Sequence, residues 1–307
     1  MALFPYCAIR SGLKRKKKMK KAYGLAFVAI FLWSTSATVS KLLLGSLGSM
    51  QVLCISALFA SAFWLAVNLF TGDLKELKAY TLKDYCRIVG TGLIGTCLYY
   101  LLLYSGMDLM MASQAMTVNY LWTIMSVVFA CILLKEKMTV RKGIAIGISF
   151  LGVMIVVGRE LVHVNTNTLL GTGYCILAAM SYGLFTALNQ KHHYNKKIAT
   201  MIYNLVTACT TGAFLIATGS VPRLDLLQTL GMAYNGTFSL AIATAAWVTA
   251  LESGKTAKIS NLAYITPFLS LVWTAIFLNE RITVFSVLGL AVIVLGIFVQ
   301  IKDQDGQ

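Results

Sequence analysis

Polar and aromatic side chains recur inside the long apolar runs of this sequence, where they are costly unless they face a partner or a cavity. Amides and hydroxyls can hydrogen-bond a solute, and aromatic faces can enclose its apolar body. These residue types therefore suit the binding of a neutral or zwitterionic solute with an apolar part. The candidate residues are Trp33, Ser36, Tyr99, Asn119, Tyr120, Trp122, Tyr182, Trp247, Asn261 and Tyr264.

Structural roles for the same side chains stay open from the sequence alone. Hydroxyls such as that of Ser36 commonly bond back to their own helix or join neighbouring helices in a membrane. Trp33 lies at mid-span, too deep for an interfacial tryptophan, and either packing or lining a cavity fits it. Asn119 must face protein or water, since an unpaired amide in hydrocarbon is costly. Its spacing from Thr123 and Ser126 predicts one polar face of a helix.

Two further patterns concern helix geometry. Tyr99, Tyr100 and Tyr104 are so close in sequence that we expect at least one of them to face lipid. Pro267 has no backbone N–H, so it frees a carbonyl one turn earlier in its helix. A kink used for gating and a kink used only for packing both fit this residue.

Ionisable groups exclude several kinds of chemistry. Asp108 and Glu252 lie near the ends of apolar runs, and no Asp or Glu lies deep in one, which disfavours proton-coupled export of cations. Lys41 is the only Lys or Arg inside a run; its ammonium could snorkel to the outer interface or pair with a solute carboxylate.

The seven cysteines form no CxxC pair, and HExxH and GxSxG are absent. We therefore expect no metal, no cofactor and no enzyme activity.

Composition places these residues in a membrane. The 307 residues are 58% hydrophobic and 12% charged, whereas a soluble domain carries about 25% charged residues. The charges form short islands between apolar runs of about 20 residues, the length of a transmembrane helix. The sequence predicts an all-α integral membrane protein with ten transmembrane helices near residues 23–44, 51–71, 85–105, 111–134, 140–158, 171–190, 198–218, 227–250, 257–278 and 284–301.

The distribution of basic residues predicts the orientation. With the amino terminus in the cytoplasm, the outer side receives only four of the 26 Lys and Arg residues: Lys41, Arg159, Arg223 and Arg281. Both termini are then cytoplasmic, in the cell membrane. The basic segment 1–21 abuts the first span, which indicates retention in the cytoplasm rather than nucleic-acid binding. Residues 1–18 are compatible with an upstream extension.

An internal repeat organises the chain. "VNYLWTIMSVVFACILLKEKMT" at 118–139 matches "LAYITPFLSLVWTAIFLNERIT" at 262–283 without a gap, 144 residues later, and aligns Glu136 with Glu280. Five spans in each unit, 22–158 and 171–301, make the second unit inverted, the usual construction of secondary transporters around a central cavity. A tail, 302–307, follows. The paired glutamates fit helix capping better than a direct role in function.

Three segments carry a resemblance to a known family. They are "NYLW" at 119–122, "YITPFLSLVWTAIFLNERIT" at 264–283 and "LGLAVIVLGIF" at 288–298. From about residue 20 to 302 the chain is similar to the EamA branch of the drug/metabolite transporter superfamily. Its aromatic amino-acid exporters read NYLWP where this chain has Thr123 in place of the proline. The resemblance implies export of small metabolites through a cavity lined by helices one, three, four, six, eight and nine, with five and ten outside.

Taken together, these features predict a secondary transporter. It would export small metabolites, such as amino acids or similar amphipathic solutes, by alternating access of a central cavity. A sugar-phosphate or nucleotide-sugar exchanger on the same fold is one alternative, but it needs basic residues within the spans, and only Lys41 qualifies. A scaffold or sensor that transports nothing is another alternative. The expected partners are a small solute and the lipid bilayer, and the oligomeric state is open.

Overall fold

The computed structural model describes residues 4–163, 165–192, 194–253 and 261–304. Helices joined by short connections make up these ranges, and no strand occurs within them. The all-α prediction is therefore confirmed. One helix of the sequence prediction, near 257–278, begins in a stretch outside the described residues.

The first unit begins with two long helices and continues through interrupted ones. A 3₁₀ helix, Asp73–Ala79, follows α2, and a π-helical segment, Leu93–Leu98, joins α3 to α4. The α-helices are α1 Phe4–Leu44, α2 Ser49–Thr71, α3 Leu82–Gly92, α4 Tyr99–Leu109, α5 Ala112–Asn119, α6 Trp122–Leu133 and α7 Val140–His163.

Among its described residues, the second unit also has one π-helical segment and one 3₁₀ helix, but the 3₁₀ helix lies at a different place in the order. A π-helical segment, Tyr234–Ala243, joins α10 to α11, and a 3₁₀ helix, Asn261–Tyr264, precedes α12. The α-helices are α8 Thr166–Lys191, α9 Lys196–Ala217, α10 Leu226–Ala233, α11 Thr244–Ser253, α12 Ile265–Leu278 and α13 Val284–Gln304.

Length and composition identify six helical runs that can cross a membrane. They are Met19–Leu44, Ser49–Thr71, Leu82–Leu109, Ala112–Leu133, Thr166–Lys191 and Lys196–Ala217. Two shorter apolar helices, Ile265–Leu278 and Val284–Val299, follow in the second unit. The chain is a multi-pass membrane protein, and many large apolar side chains on the outer helix faces, Phe70 among them, are exposed as lipid-facing residues would be.

Glycines bring α7 and α13 into close contact along their length. A Cβ atom added to Gly152 would lie 2.7 Å from the carbonyl oxygen of Gly289, and one added to Gly296 would lie 2.8 Å from the carbonyl oxygen of Ala145. Larger residues at either glycine would push the helices apart. Gly152 and Gly296 are 144 positions apart in the sequence, and so are Ala145 and Gly289. The two contacts are therefore related by the spacing of the sequence repeat.

A second pair of contacts shows the same spacing. A Cβ on Gly92 would lie 2.8 Å from the Cα of Tyr203 in α9, and one on Gly236 would lie 2.7 Å from the Cβ of Phe59 in α2. The π segments also occupy corresponding places in the two units, directly after Gly92 and around Gly236. The repeat seen in the sequence therefore recurs as paired helix contacts in the fold.

Candidate solute-binding cavity

A cavity of about 310 Å³ lies at the centre of the molecule, between α1, α4, α8, α11 and the junction of α5 with α6. Its volume is at the lower end of the range for small-molecule pockets, about 300–1,000 Å³. The cavity wall contains eight of the ten candidate residues, namely Trp33, Ser36, Tyr99, Asn119, Tyr120, Trp122, Tyr182 and Trp247.

The other two candidates, Asn261 and Tyr264, lie in the 3₁₀ helix before α12, and their side chains are outside the described part of the chain. Ala263, which stands between them, lines the cavity. The backbone that carries both candidates therefore reaches the cavity wall.

An interruption between α5 and α6 brings a cluster of candidates to the cavity. The backbone N–H of Leu121 bonds to Val118 O at 3.1 Å, and that of Thr123 bonds to Tyr120 O at 3.3 Å, in the tighter i to i+3 pattern. Because the helix is wound more tightly here, with fewer residues per turn, Tyr120 and Trp122 can both line the cavity although they are two residues apart.

The predicted polar face of Asn119, Thr123 and Ser126 does not form. The Thr123 hydroxyl donates to Tyr120 O at 2.9 Å and the Ser126 hydroxyl to Thr123 O at 2.6 Å, so both return to their own helix. That prediction was wrong because it assumed one unbroken helix. Only Asn119 of the three lines the cavity.

Asn119 both joins two helices and lines the cavity, the two roles that the sequence left open. Its Nδ2 donates to the Tyr99 hydroxyl at 3.0 Å, which joins α5 to α4. Its Oδ1 is buried and, among the described residues, has no hydrogen-bond partner. The side chain is 2% exposed, so leaving this acceptor unpaired costs about 1–3 kcal/mol. A solute in the cavity that offers an N–H or O–H would remove that cost.

Thr266, at the start of α12, offers a second buried polar group on the same wall. Its hydroxyl oxygen likewise has no partner in the described ranges. Thr266 is not among the candidate residues predicted from the sequence. Its position immediately before Pro267 is the signal that could have identified it, because that segment must face protein or a cavity.

Aromatic rings form a large part of the remaining wall, beside small, aliphatic and hydroxyl-bearing side chains. The ring centroids of Trp33 and Trp247 are 5.5 Å apart, and those of Trp122 and Tyr182 are 5.1 Å apart and nearly perpendicular. Trp33 Nε1 donates to Ser239 O at 3.2 Å, so its polar atom is satisfied by the π segment and its ring can face the cavity. Such rings can enclose a flat apolar group.

The three neighbouring tyrosines of α4 all line this cavity. The prediction that one of Tyr99, Tyr100 and Tyr104 faces lipid was therefore wrong. At about 100° per residue these three positions cover an arc of only about 140° of a helix. A wide cavity accommodates the whole arc.

Pro267 lies buried in the first turn of α12, where a missing N–H is tolerated. The carbonyl four residues earlier belongs to Ala263, and it accepts a hydrogen bond from the Tyr120 hydroxyl at 3.1 Å. The freed carbonyl expected from the sequence is thus used to connect α12 with the α5–α6 junction. A gating role for Pro267 stays a prediction.

Charged groups lie beside the cavity rather than on its wall, for no Lys, Arg, Asp or Glu is among the described lining residues. The ammonium of Lys41 donates to the carbonyls of Met107 and Met110, the latter at 3.0 Å. It therefore closes the end of α4, and the two roles expected from the sequence, at the interface or with a solute carboxylate, stay predictions. In the ranges described, no three His, Cys, Asp or Glu residues are grouped as a metal site would require.

Glu280 binds the opposite end of the same turn. Its two carboxylate oxygens accept from the backbone N–H groups of Ala112 at 2.7 Å and Ser113 at 2.9 Å, the first residues of α5. A carboxylate is favoured at a helix amino terminus. Glu136, its counterpart, instead pairs with Lys142 at 3.2 Å. Capping is confirmed for Glu280, although the capped helix belongs to the other unit.

Comparison with known proteins fits this architecture. A solved crystal structure superposes with a TM-score of 0.65 at 19% identity, covering 91% of this chain and 96% of its own, which shows a shared fold. An uncharacterized transporter of Archaeoglobus fulgidus is 25% identical over 298 residues, 93% of this chain and 100% of its own. The uncharacterized transporter YoaV of Bacillus subtilis is 24% identical over 233 residues, 73% of this chain and 75% of its own.

The family model of the EamA-like transporters matches the chain twice, at residues 20–158 and 169–301. The predicted units, residues 22–158 and 171–301, begin two residues later than these two ranges. The protein belongs to the EamA-like transporter family.

Proposed function

We propose that the protein exports small neutral or zwitterionic solutes with an apolar part, amino acids among them, through its central cavity. The buried, unpaired Oδ1 of Asn119, on a wall rich in aromatic rings, is the observation that carries this proposal. It favours a solute that donates a hydrogen bond at one end and presents a flat apolar group at the other. An amino acid with an aromatic or aliphatic side chain has both properties.

The cavity wall also bears on the alternative substrates. A sugar phosphate or nucleotide sugar would bring a dianionic phosphate, which needs Arg or Lys side chains. The described lining residues include none, and Lys41 is engaged by carbonyl groups of α4. We therefore propose a solute without a phosphate group, and transport that needs no carboxylate in the cavity.

The arrangement in the membrane is part of the same proposal. Ten spans in two inverted units of five, with both termini in the cytoplasm of the cell membrane, agree with the basic-residue distribution. The contacts that recur at a spacing of 144 residues support a two-fold relation between the units. Such a relation would let the cavity open to either side in turn.

A metabolite-release screen tests the proposal. Cells that express the protein, cells that do not, and cells that express it with Asn119→Ala are loaded with a mixture of amino acids and dipeptides, and the medium is analysed by mass spectrometry. We expect one or a few amphipathic solutes to accumulate outside fastest with the unchanged protein. Equal release from expressing and non-expressing cells for every solute tested contradicts export, and equal release with the unchanged protein and with Asn119→Ala contradicts the role of Asn119.

A further inference from the structure

A second cavity, of about 450 Å³, lies between α2, α9 and α11. Thr244 lines both this cavity and the central one, so the two are adjacent. Lys196 and Lys197, the first residues of α9, line its other end. The basic-residue distribution places these lysines on the cytoplasmic side. The second cavity therefore extends from the central cavity towards the cytoplasm.

The opposite side of the molecule is closed at the corresponding place. A shift of 144 residues relates α9 and α11 to α2 and α4, and it relates Thr244 to Tyr100. There, α4 packs against α2, and Lys41 and Glu280 bind the two sides of the turn between α4 and α5. The structure thus has an opening towards the lysines and a closed outer side.

Two groups in this second cavity are suited to an anion. Trp64 is 5% exposed, and its indole N–H finds no hydrogen-bond acceptor in the part of the chain that the structure describes. Lys196 has no acidic partner within ion-pair distance among the described residues. Lys197, in contrast, bonds to Asp73 at 2.8 Å, and this bond lowers the pKa of the Asp73 carboxyl. Lys196 is therefore the lysine available to a ligand.

The rest of the wall suits an apolar group. Phe63 and Trp64 present rings whose centroids are 5.9 Å apart and nearly perpendicular, and Val67 lies one turn further along α2. An anion bound by Lys196 and the Trp64 N–H would place its apolar part against these side chains. The lining therefore matches an amphipathic monoanion rather than an inorganic ion alone.

We propose that this second cavity is a cytoplasmic access site, which binds the carboxylate of an amphipathic solute before the solute passes Thr244 into the central cavity. The role as an access site rests on the proposed export function. The binding of a carboxylate by Lys196 and Trp64 does not depend on transport. Binding measurements can therefore test it alone.

The test uses benzoate as the probe and benzamide as its neutral counterpart, with the purified full-length protein in detergent and calorimetry as the measurement. Lys196→Gln removes the charge, and Trp64→Phe removes the N–H but keeps an aromatic ring. We expect each change to weaken benzoate binding by about three- to tenfold, as for a lost charge-assisted hydrogen bond, and to leave benzamide binding unchanged. Lys191→Gln, at an exposed lysine of the same side, is the matched control.

Unchanged benzoate affinity in the Lys196→Gln variant would overturn the proposal, as would an equal loss for benzamide. Lys196 is exposed, so this variant tests the site even where Trp64→Phe lowers stability. The same titration in nanodiscs of phosphatidylcholine, with and without phosphatidylglycerol, separates a solute from a lipid headgroup. Displacement of benzoate by phosphatidylglycerol assigns the cavity to lipid and overturns the access site. If both variants bind benzoate more weakly but the release screen shows no export, the proposed function is refuted and the carboxylate site is kept.

Discussion

Replacement of Asn119 by alanine separates a binding role from a packing role. The change removes the Nδ2 bond to Tyr99 and also the unpaired Oδ1 of a side chain that lines the cavity. One hydrogen bond contributes about 0.5–1.5 kcal/mol, so loss of a solute contact should raise the apparent KM by about two- to twelvefold. Loss of the bond to Tyr99 should lower the free energy of unfolding by a similar amount, about 1 kcal/mol.

Asn204 supplies a matched control. It is a buried asparagine of α9 whose Nδ2 donates to Thr200 O at 2.8 Å and whose Oδ1 also lacks a partner in the described ranges. It does not line the central cavity. Asn204→Ala should therefore lower stability about as much as Asn119→Ala while leaving the apparent KM near that of the unchanged protein.

The assay is counterflow of the solute identified by the release screen in proteoliposomes, together with thermal unfolding of each variant in detergent. The expected pattern is a selective loss of apparent affinity in Asn119→Ala and a similar fall in melting temperature in both variants. If the two variants lose transport by the same factor, in step with melting temperature, Asn119 acts only in packing and the binding site lies elsewhere.

Three other changes test separate parts of the structure. Reporter fusions should place Lys196 in the cytoplasm and Asn279 outside; a cytoplasmic Asn279 contradicts five spans in each unit. Glu280→Ala should lower the free energy of unfolding by about 1.5–3 kcal/mol, because two backbone donors of α5 lose a charged acceptor. Glu136→Ala removes a half-exposed carboxylate from the buried ammonium of Lys142, which keeps its hydrogen bond to Lys137 O at 3.0 Å, so this change should lower the free energy of unfolding less; equal melting temperatures would refute the capping role. Asp108→Asn should leave gradient-driven flux in proteoliposomes unchanged, and abolition of that flux would show that transport needs a carboxylate.

The order of the helices could be predicted because apolar runs, charge islands and a repeat are properties of the sequence itself. The interruptions within those runs could not. Leu93–Leu98 and Tyr234–Ala243 form π segments in windows whose hydropathy is that of ordinary membrane helices. The local sequence in those windows does not distinguish an α-helix from a π-helix. Tertiary contacts stabilise the π segments, as does the hydrogen bond that the Ser181 hydroxyl donates to Ile94 O at 2.6 Å.

The lining of the candidate cavity was also predictable only in part, from properties of the sequence itself. Polar and aromatic residues inside apolar runs identified eight of the nineteen residues that line the cavity, because burying such residues in lipid is costly. Partners across the fold were not predictable: Tyr120 bonds to a carbonyl freed by Pro267, and Glu280 binds a helix far away in sequence. Each of these contacts joins the two units, and one sequence without a fold does not reveal which residues meet.

The reciprocal contacts of α7 with α13 have a consequence for the separate units. Gly152 meets residues around 289–293, and Gly296 meets residues around 145–149, so the two helices present equivalent surfaces to each other. An isologous dimer interface has this form, since one patch contacts a second copy of itself. In the proposed topology the two units are inverted, so a copy of the first unit reproduces this contact only when it is turned over relative to its partner. A fragment ending after α7 should therefore self-associate through Gly152 in detergent, where the copies are free to turn, and remain monomeric in a membrane in which all copies have one orientation.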